Sequence, residues 1–369
     1  MRLVPRLTAS VVYFPAGARH ARLRQQWLRV LQFLPAIALL TLLPAVAQPV
    51  SVQALIRSGQ AALDARQFDR AAADFEQAFR LAPDNLEVNR GLVLAYLQAG
   101  RFAEAAGAGR AAVTHWPQDA QLQHWLGLVY FKQGRNAEAL QTLQGSEKLE
   151  GQDFGIHFDI ALVLLSQSQY SPAADELEKA VALDRSNALA HVLLGRAYQN
   201  SNRTLQAIEQ FQTALRVDPS IPLGHYHLGF AYASLGRNAE AIAEYEKEVA
   251  RRPEDGEVLY RLGDCLLETG DWKEAIARLQ RATELASQNA DAFYDLGKAL
   301  LLEGDVGGSI SALRRAIELK PTDPSPHFQL ARALEKAGQV EEARQERQRF
   351  AELKKAQPQS GGMATGRVQ

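Results

Sequence analysis

Counted in frames of 34 residues from Val52, the chain repeats itself nine times, as far as residue 357, with no insertion or deletion. In frames 2 to 9 the seventh position reads Leu92, Leu126, Ile160, Leu194, Leu228, Leu262, Leu296 and Leu330. The eighth is Gly59, Gly127, Gly195, Gly229, Gly263 and Gly297, with Val93, Ala161 and Ala331 in the other frames. The twentieth is alanine from Ala71 to Ala343, except for Ser309 in frame 8. Such a period means that each frame is one supersecondary unit, able to bury its apolar face only by stacking on the next.

Each frame reads as two helices. Positions 4, 7, 8 and 11 share one helical stripe. A turn follows at position 15, where Gly100, Gly134, Gly236, Gly270, Gly304 and Gly338 supply the positive φ that ends a helix. The second helix is expected to open on capping residues: Asp271 with Glu274 has the spacing of a capping box, and Ser171 precedes Pro172. It closes before position 32, where Pro83, Pro117, Pro219, Pro253 and Pro321 cannot continue a helix. Small residues at positions 8 and 20 let the two backbones approach, and larger ones at 7, 11 and 24 fill the space beside the crossing.

This pattern resembles the tetratricopeptide repeat family, most closely in frames 5 and 6: Leu194, Gly195, Tyr198, Ala207, Phe211, Ala214, Pro219, and Leu228, Gly229, Tyr232, Ala241, Tyr245, Pro253. The resemblance implies an all-α fold, a right-handed α-solenoid superhelix of nine helix-turn-helix units. Val93, Gly109 at position 24, Glu248 at position 27 and Arg347 at position 24 depart from the family pattern, so local packing must differ there. The polar last helix, about Val340–Ala356, suits the exposed end of an array.

In that family the first helices line the inner face through positions 2, 5, 9, 12 and 13, and the groove holds a peptide or partner segment. Position 5 reads Phe158, Val192, Tyr226, Tyr260, Tyr294 and Phe328 in frames 4 to 9, and position 9 reads Leu162, Arg196, Phe230, Asp264, Lys298 and Arg332. Leu94, Leu97, Leu128, Phe131 and Leu165 extend the apolar part. Aromatic rings flanked by charges suit an extended ligand. Packing of the same rings between neighbouring first helices is the alternative reading. The lysine and asparagine set of the chaperone-tail clamp and an asparagine ladder at position 6 are both absent.

Chemistry is sparse. The chain has no Walker loop, no HExxH, no GxSxG and no paired cysteines, so no catalytic residue, metal or cofactor is expected. Gly304-Asp305-Val306-Gly307-Gly308 follows no strand, as a phosphate loop would require. His157, His191, His225 and His327 all hold position 4, either as a metal ladder or as semi-buried substitutes for the family's large residue. Cys265 reads as a packing residue. A formal charge of −1 offers no case for nucleic acid.

Residues 1–47 carry six arginines and no Asp, Glu or Lys, then an apolar stretch from Val30 to Leu43, Pro44 and Ala45-Val46-Ala47. This is the pattern of a secretory signal cleaved after Ala47; an uncleaved signal anchor is the alternative. A tail, 358–369, is expected to be disordered. The sequence therefore points to a non-enzymatic protein-interaction scaffold of the cell envelope or periplasm. Its partner is a protein or peptide, and it meets membrane only through the first segment. An envelope assembly factor or a non-catalytic subunit of an enzyme complex are the alternatives.

Overall fold

The computed structural model describes residues 51–356. The leader or anchor assigned to 1–47 and the tail at 358–369 lie outside the described residues. The chain divides into two compact units, 1–54 and 55–369; of the first, only 51–54 are described.

Among the described residues there are eighteen helices and no strand. They follow the frames closely. All nine second helices start at position 17, from Phe68 in the first repeat to Val340 in the last, and eight of the nine first helices start at position 1. In the second unit consecutive helices pack on one another, and each repeat rests on the next. The fold is an all-α solenoid. First helices of neighbouring repeats also touch, in repeats 2 and 3, 3 and 4, and from 5 through to 9, whereas second helices make no comparable contact with each other. The stack is therefore tighter along its first helices, which places them on the inner side of the bend.

Why helices start where they do is written at position 34. Asn85, Asp119, Asp153, Asn187, Asp255, Asn289 and Asp323 each accept a hydrogen bond from a backbone N–H in the first turn that follows, as Ser51 does ahead of repeat 1. Only the position before repeat 6 lacks such a residue: it is Ile221. There the helix begins two residues late, at Gly224, behind Leu223 at φ 61°. Loss of one cap thus shortens one helix at its N-terminal end.

The second helices start differently from the sequence expectation. Ser171 lies inside the helix Tyr170–Leu183, and Asp271, although at the capping position, makes no capping bond. A different device recurs there. Arg101, Arg135, Arg203 and Arg237, just before their second helices, lie 4.1–4.5 Å over the rings of Tyr96, Tyr130, Tyr198 and Tyr232 at position 11. Each also bonds the residue three places on, Glu104, Glu138, Gln206 or Glu240, tying the two helices of one repeat across the turn. The left-handed turn at position 15 holds in all nine repeats, including those with Arg66, Ser168 and Asn202 there (φ 56–61°).

The glycines at position 8 are required by contact. A Cβ added at Gly195 would stand 2.5 Å from Phe211, one at Gly263 2.6 Å from Leu279 and one at Gly297 2.5 Å from Leu313. Position 8 therefore faces position 24 of the same repeat, and the alanines at position 20 beside that contact are fully buried. Repeat 2 solves the contact in reverse. Val93 takes the glycine position and Gly109 the large one, with Val93 fully buried and Leu126 of the next repeat against Gly109. Two apparent departures are one exchange of volume. Arg347, at the end of the array, is exposed and paired with Glu335 (2.6 Å), as a last helix permits. Glu248 is different: it is buried where six of the other eight repeats carry alanine, with Oε2 unpartnered, and nothing in the structure explains it.

Candidate functional site

The position-4 residues close the joints between repeats. Asn89 and Gln123 donate to the carbonyls of Pro83 and Pro117 (both 2.7 Å), and His157 and His191 donate through Nε2 to Gly151 and Arg185 (3.1 and 3.2 Å). The Nδ1 atoms of His157, His225 and His327 face Glu176, Glu244 and Glu346 at 2.6–2.7 Å, while that of His191 faces Gln210 at 2.8 Å. Each histidine thus ties its first helix to its own second helix. Glu147, His157 and Glu176 present three atoms close enough for a metal ion. Lys179 already bridges both carboxylates at 2.9 and 2.8 Å, so a positive charge stands where a cation would. Asp305 accepts from the Gly308 N–H (2.9 Å), which uses the donors a phosphate would need in that glycine-rich turn. Burial pushes the Cys265 thiol up to about 12, with Asp264 adding to it, so it is not a thiolate nucleophile.

The residues at positions 5 and 9 lie on the first helices, whose mutual contacts mark the inner side of the array. Their accessibility differs from tier to tier. Phe158, Leu162, Tyr226, Phe230, Asp264, Tyr294 and Lys298 are half-buried; Arg196, Phe328 and Arg332 are exposed or nearly so; Tyr260 is buried, at 5%. Phe158 stacks on Phe154 of its own helix (5.3 Å) and Phe328 tilts against Phe350 of the last helix (5.3 Å). Lys298 pairs with Glu268 (3.0 Å) and Arg332 with Gln329 (3.1 Å).

Repeats 6 and 7 bring several members together. Tyr226 stacks with Phe230 (6.4 Å) and meets the ring of Tyr245 (6.1 Å). The Arg261 guanidinium lies 5.4 Å from the Phe230 ring and 5.1 Å from that of Tyr260, and Glu257 fixes it at 2.8 Å. Burial works against that charge, but Glu257 more than offsets it and the guanidinium is held above its ordinary range. Burial likewise raises the Tyr226 and Tyr260 hydroxyls. The result is a cation held over two aromatic rings, Phe230 and Tyr260. Arg261 stands at position 6, outside the two rows singled out from sequence. Its signal is an arginine one place after Tyr260 and four after Glu257.

Repeats 2 to 4 carry a different lining. Positions 9 and 12 are Leu94 and Leu97, Leu128 and Phe131, and Leu162 and Leu165, all half-buried. Position 5 there is polar in two tiers: Arg90 binds Asp119 (2.6 Å) and His124 binds Asp159 (2.7 Å), beside a cleft of 770 Å³. The array offers contact area and paired charges.

Comparison with known proteins agrees with this architecture. A family model described as tetratricopeptide repeat matches residues 56–120, 192–256, 231–277 and 260–324, more than half of the chain. The chain belongs to the tetratricopeptide repeat family. A second model of the same description matches 300–359, and the model for anaphase-promoting complex, cyclosome, subunit 3 matches 98–180. None of the curated proteins compared matches it. Among solved structures it is similar to MamA (26% identity, 44% of this chain and 95% of that one, TM-score 0.42). It is also similar to YrrB, described as a TPR protein with an unusual peptide-binding site (24%, 51% and 96%, TM-score 0.46). A third is a thermophilic TPR protein of Thermus thermophilus (21%, 50% and 100%, TM-score 0.41).

Proposed function

We propose that this tetratricopeptide repeat protein is a non-enzymatic scaffold that holds a segment of a partner protein along its first helices, and that it works after export to the cell envelope. The observation that carries the binding part is the half-exposed lining of those helices. Leucines and aromatic rings stand open to solvent in part, tier after tier, on the inner side of the stack. A curved array leaves them uncovered, and contiguous partly exposed apolar surface marks interaction sites. Tyr226, Phe230 and Phe328, with Arg196 and Arg332, supply rigid contact area and charges to set register.

Export rests on the first 47 residues, in which arginines precede a short apolar stretch and Ala45-Val46-Ala47. Among the described residues no helix is long and apolar enough to cross a membrane. One experiment addresses both parts: isolating the chain from its source cells through a C-terminal tag. The expected mature N-terminus is Gln48. Partner co-purification should be lost with Phe328→Asp and kept with Leu205→Asp, on a second helix, with melting temperatures unchanged because both side chains are exposed (43% and 67%). An intact residue 1–47 would contradict the export part. Loss of the partner with Leu205→Asp alone would contradict the inner-face part.

A further inference from the structure

We infer that the partner segment is an apolar, polyproline-II-like segment flanked by a carboxylate, seated across repeats 2 to 5; this rests on the scaffold reading above and names what the inner face takes. The leucine and phenylalanine pairs at positions 9 and 12 run unbroken through repeats 2, 3 and 4. In repeat 5 the same two positions change character. They are Arg196 and Gln199.

Arg196 is exposed, and its side chain makes no hydrogen bond or ion pair among the described residues. Its neighbours on the first helices differ. Arg90 has Asp119, Arg261 has Glu257 and Lys298 has Glu268. The side-chain nitrogen of Gln199 is buried with no acceptor. An apolar strip thus ends in a free cation and an unused donor. The exposed cation calls for an acceptor carried by the guest. His227, whose imidazole feels the Arg196 charge, is held neutral by burial and by Arg196 itself, so it does not add to that charge.

The spacing sets the length of the guest. Packed helices stand about 8–10 Å apart, so the two touching steps from repeat 2 to repeat 4 and the looser one to repeat 5 cover roughly 27 Å or slightly more. A chain in the polyproline II conformation, three residues per turn, spans that with about nine residues and returns every third side chain to the same face. One apolar side chain per tier then falls at about every third residue. A side-chain carboxylate after the third of them meets Arg196.

The test uses synthetic ten-residue peptides with capped ends, so that no terminal carboxylate competes, and the purified full chain. Each peptide has leucine at every third position, serine between, and either aspartate or lysine at the tenth; a second pair has the order reversed, because chain direction is open. Fluorescence anisotropy at low salt should show one aspartate peptide binding about tenfold tighter than its lysine counterpart. Arg196→Gln should erase that difference while leaving the leucine-dependent part, and Leu128→Asp should weaken both peptides. Equal binding of aspartate and lysine peptides, no binding of any, or an unchanged preference in the Arg196→Gln chain would overturn the inference. The scaffold reading would survive each of these results, since it falls only if the cellular partner engages the second helices.

Discussion

Replacing Gly195 with valine should lower the unfolding free energy by about 1–3 kcal/mol. A Cβ at this position would meet Cε1 of Phe211 at 2.5 Å and Cδ1 at 2.7 Å. The ring has nowhere to move: Phe211 is fully buried, and His227 of the next repeat stacks on it at 5.5 Å. Repeat 2 carries the opposite distribution of volume at these two positions, Val93 at position 8 and Gly109 at position 24. A double substitution, Gly195→Val with Phe211→Gly, should therefore be less damaging than the sum of the two single changes, by about 1 kcal/mol or more. Denaturant unfolding of the four chains measures this. Strict additivity would mean that positions 8 and 24 are not in the direct opposition described above.

The second large effect is a loss of stability in acid that traces to one side chain. Burial, and after it the charge of Arg196, depresses the His227 imidazole to about 4 from the ordinary 6.5. Between these two values the unfolded chain takes up a proton that the folded chain refuses. Stability contributed by the neutral ring is thus complete above pH 6.5 and is lost as the pH falls towards 4, by up to about 3 kcal/mol. His227→Phe keeps a ring against Phe211 and removes the titration. Unfolding at pH 7 and at about pH 4.5 should show a fall in the parent that is larger than in the variant by roughly 2 kcal/mol. Equal falls would mean that the protonated ring is accommodated in the folded array.

Columns of the repeat make much of this architecture legible. Helix positions follow because the period fixes them to within a residue in eight of nine repeats, and glycines mark six of the nine turns at position 15, all of which have positive φ. Capping is harder to read for a local reason. The acceptors at position 34 end one frame but serve the helix of the next, so Asn187 or Asp255 read within a frame shows no helix to cap. Val93 and Gly109 look like two separate departures until the other repeats show that positions 8 and 24 face each other. Candidate site residues are visible as two rows, but their exposure is not. Tyr260 is buried and Phe328 exposed at the same position because repeat 7 lies between two repeats, whereas repeat 9 has repeat 8 on one side and only its own last helix beyond. Accessibility belongs to the neighbours, and a single column does not contain them.

Photo-crosslinking in the source cells tests the central claim most directly. A photoreactive residue would be placed in turn at Leu128, Phe230 and Phe328 on first helices, and at Arg110, Leu205 and Ala277 on second helices. The expected result is one protein adduct, shared by the first-helix positions and missing from the others. An adduct formed through Arg110, Leu205 or Ala277, with none through Leu128, Phe230 or Phe328, would contradict it.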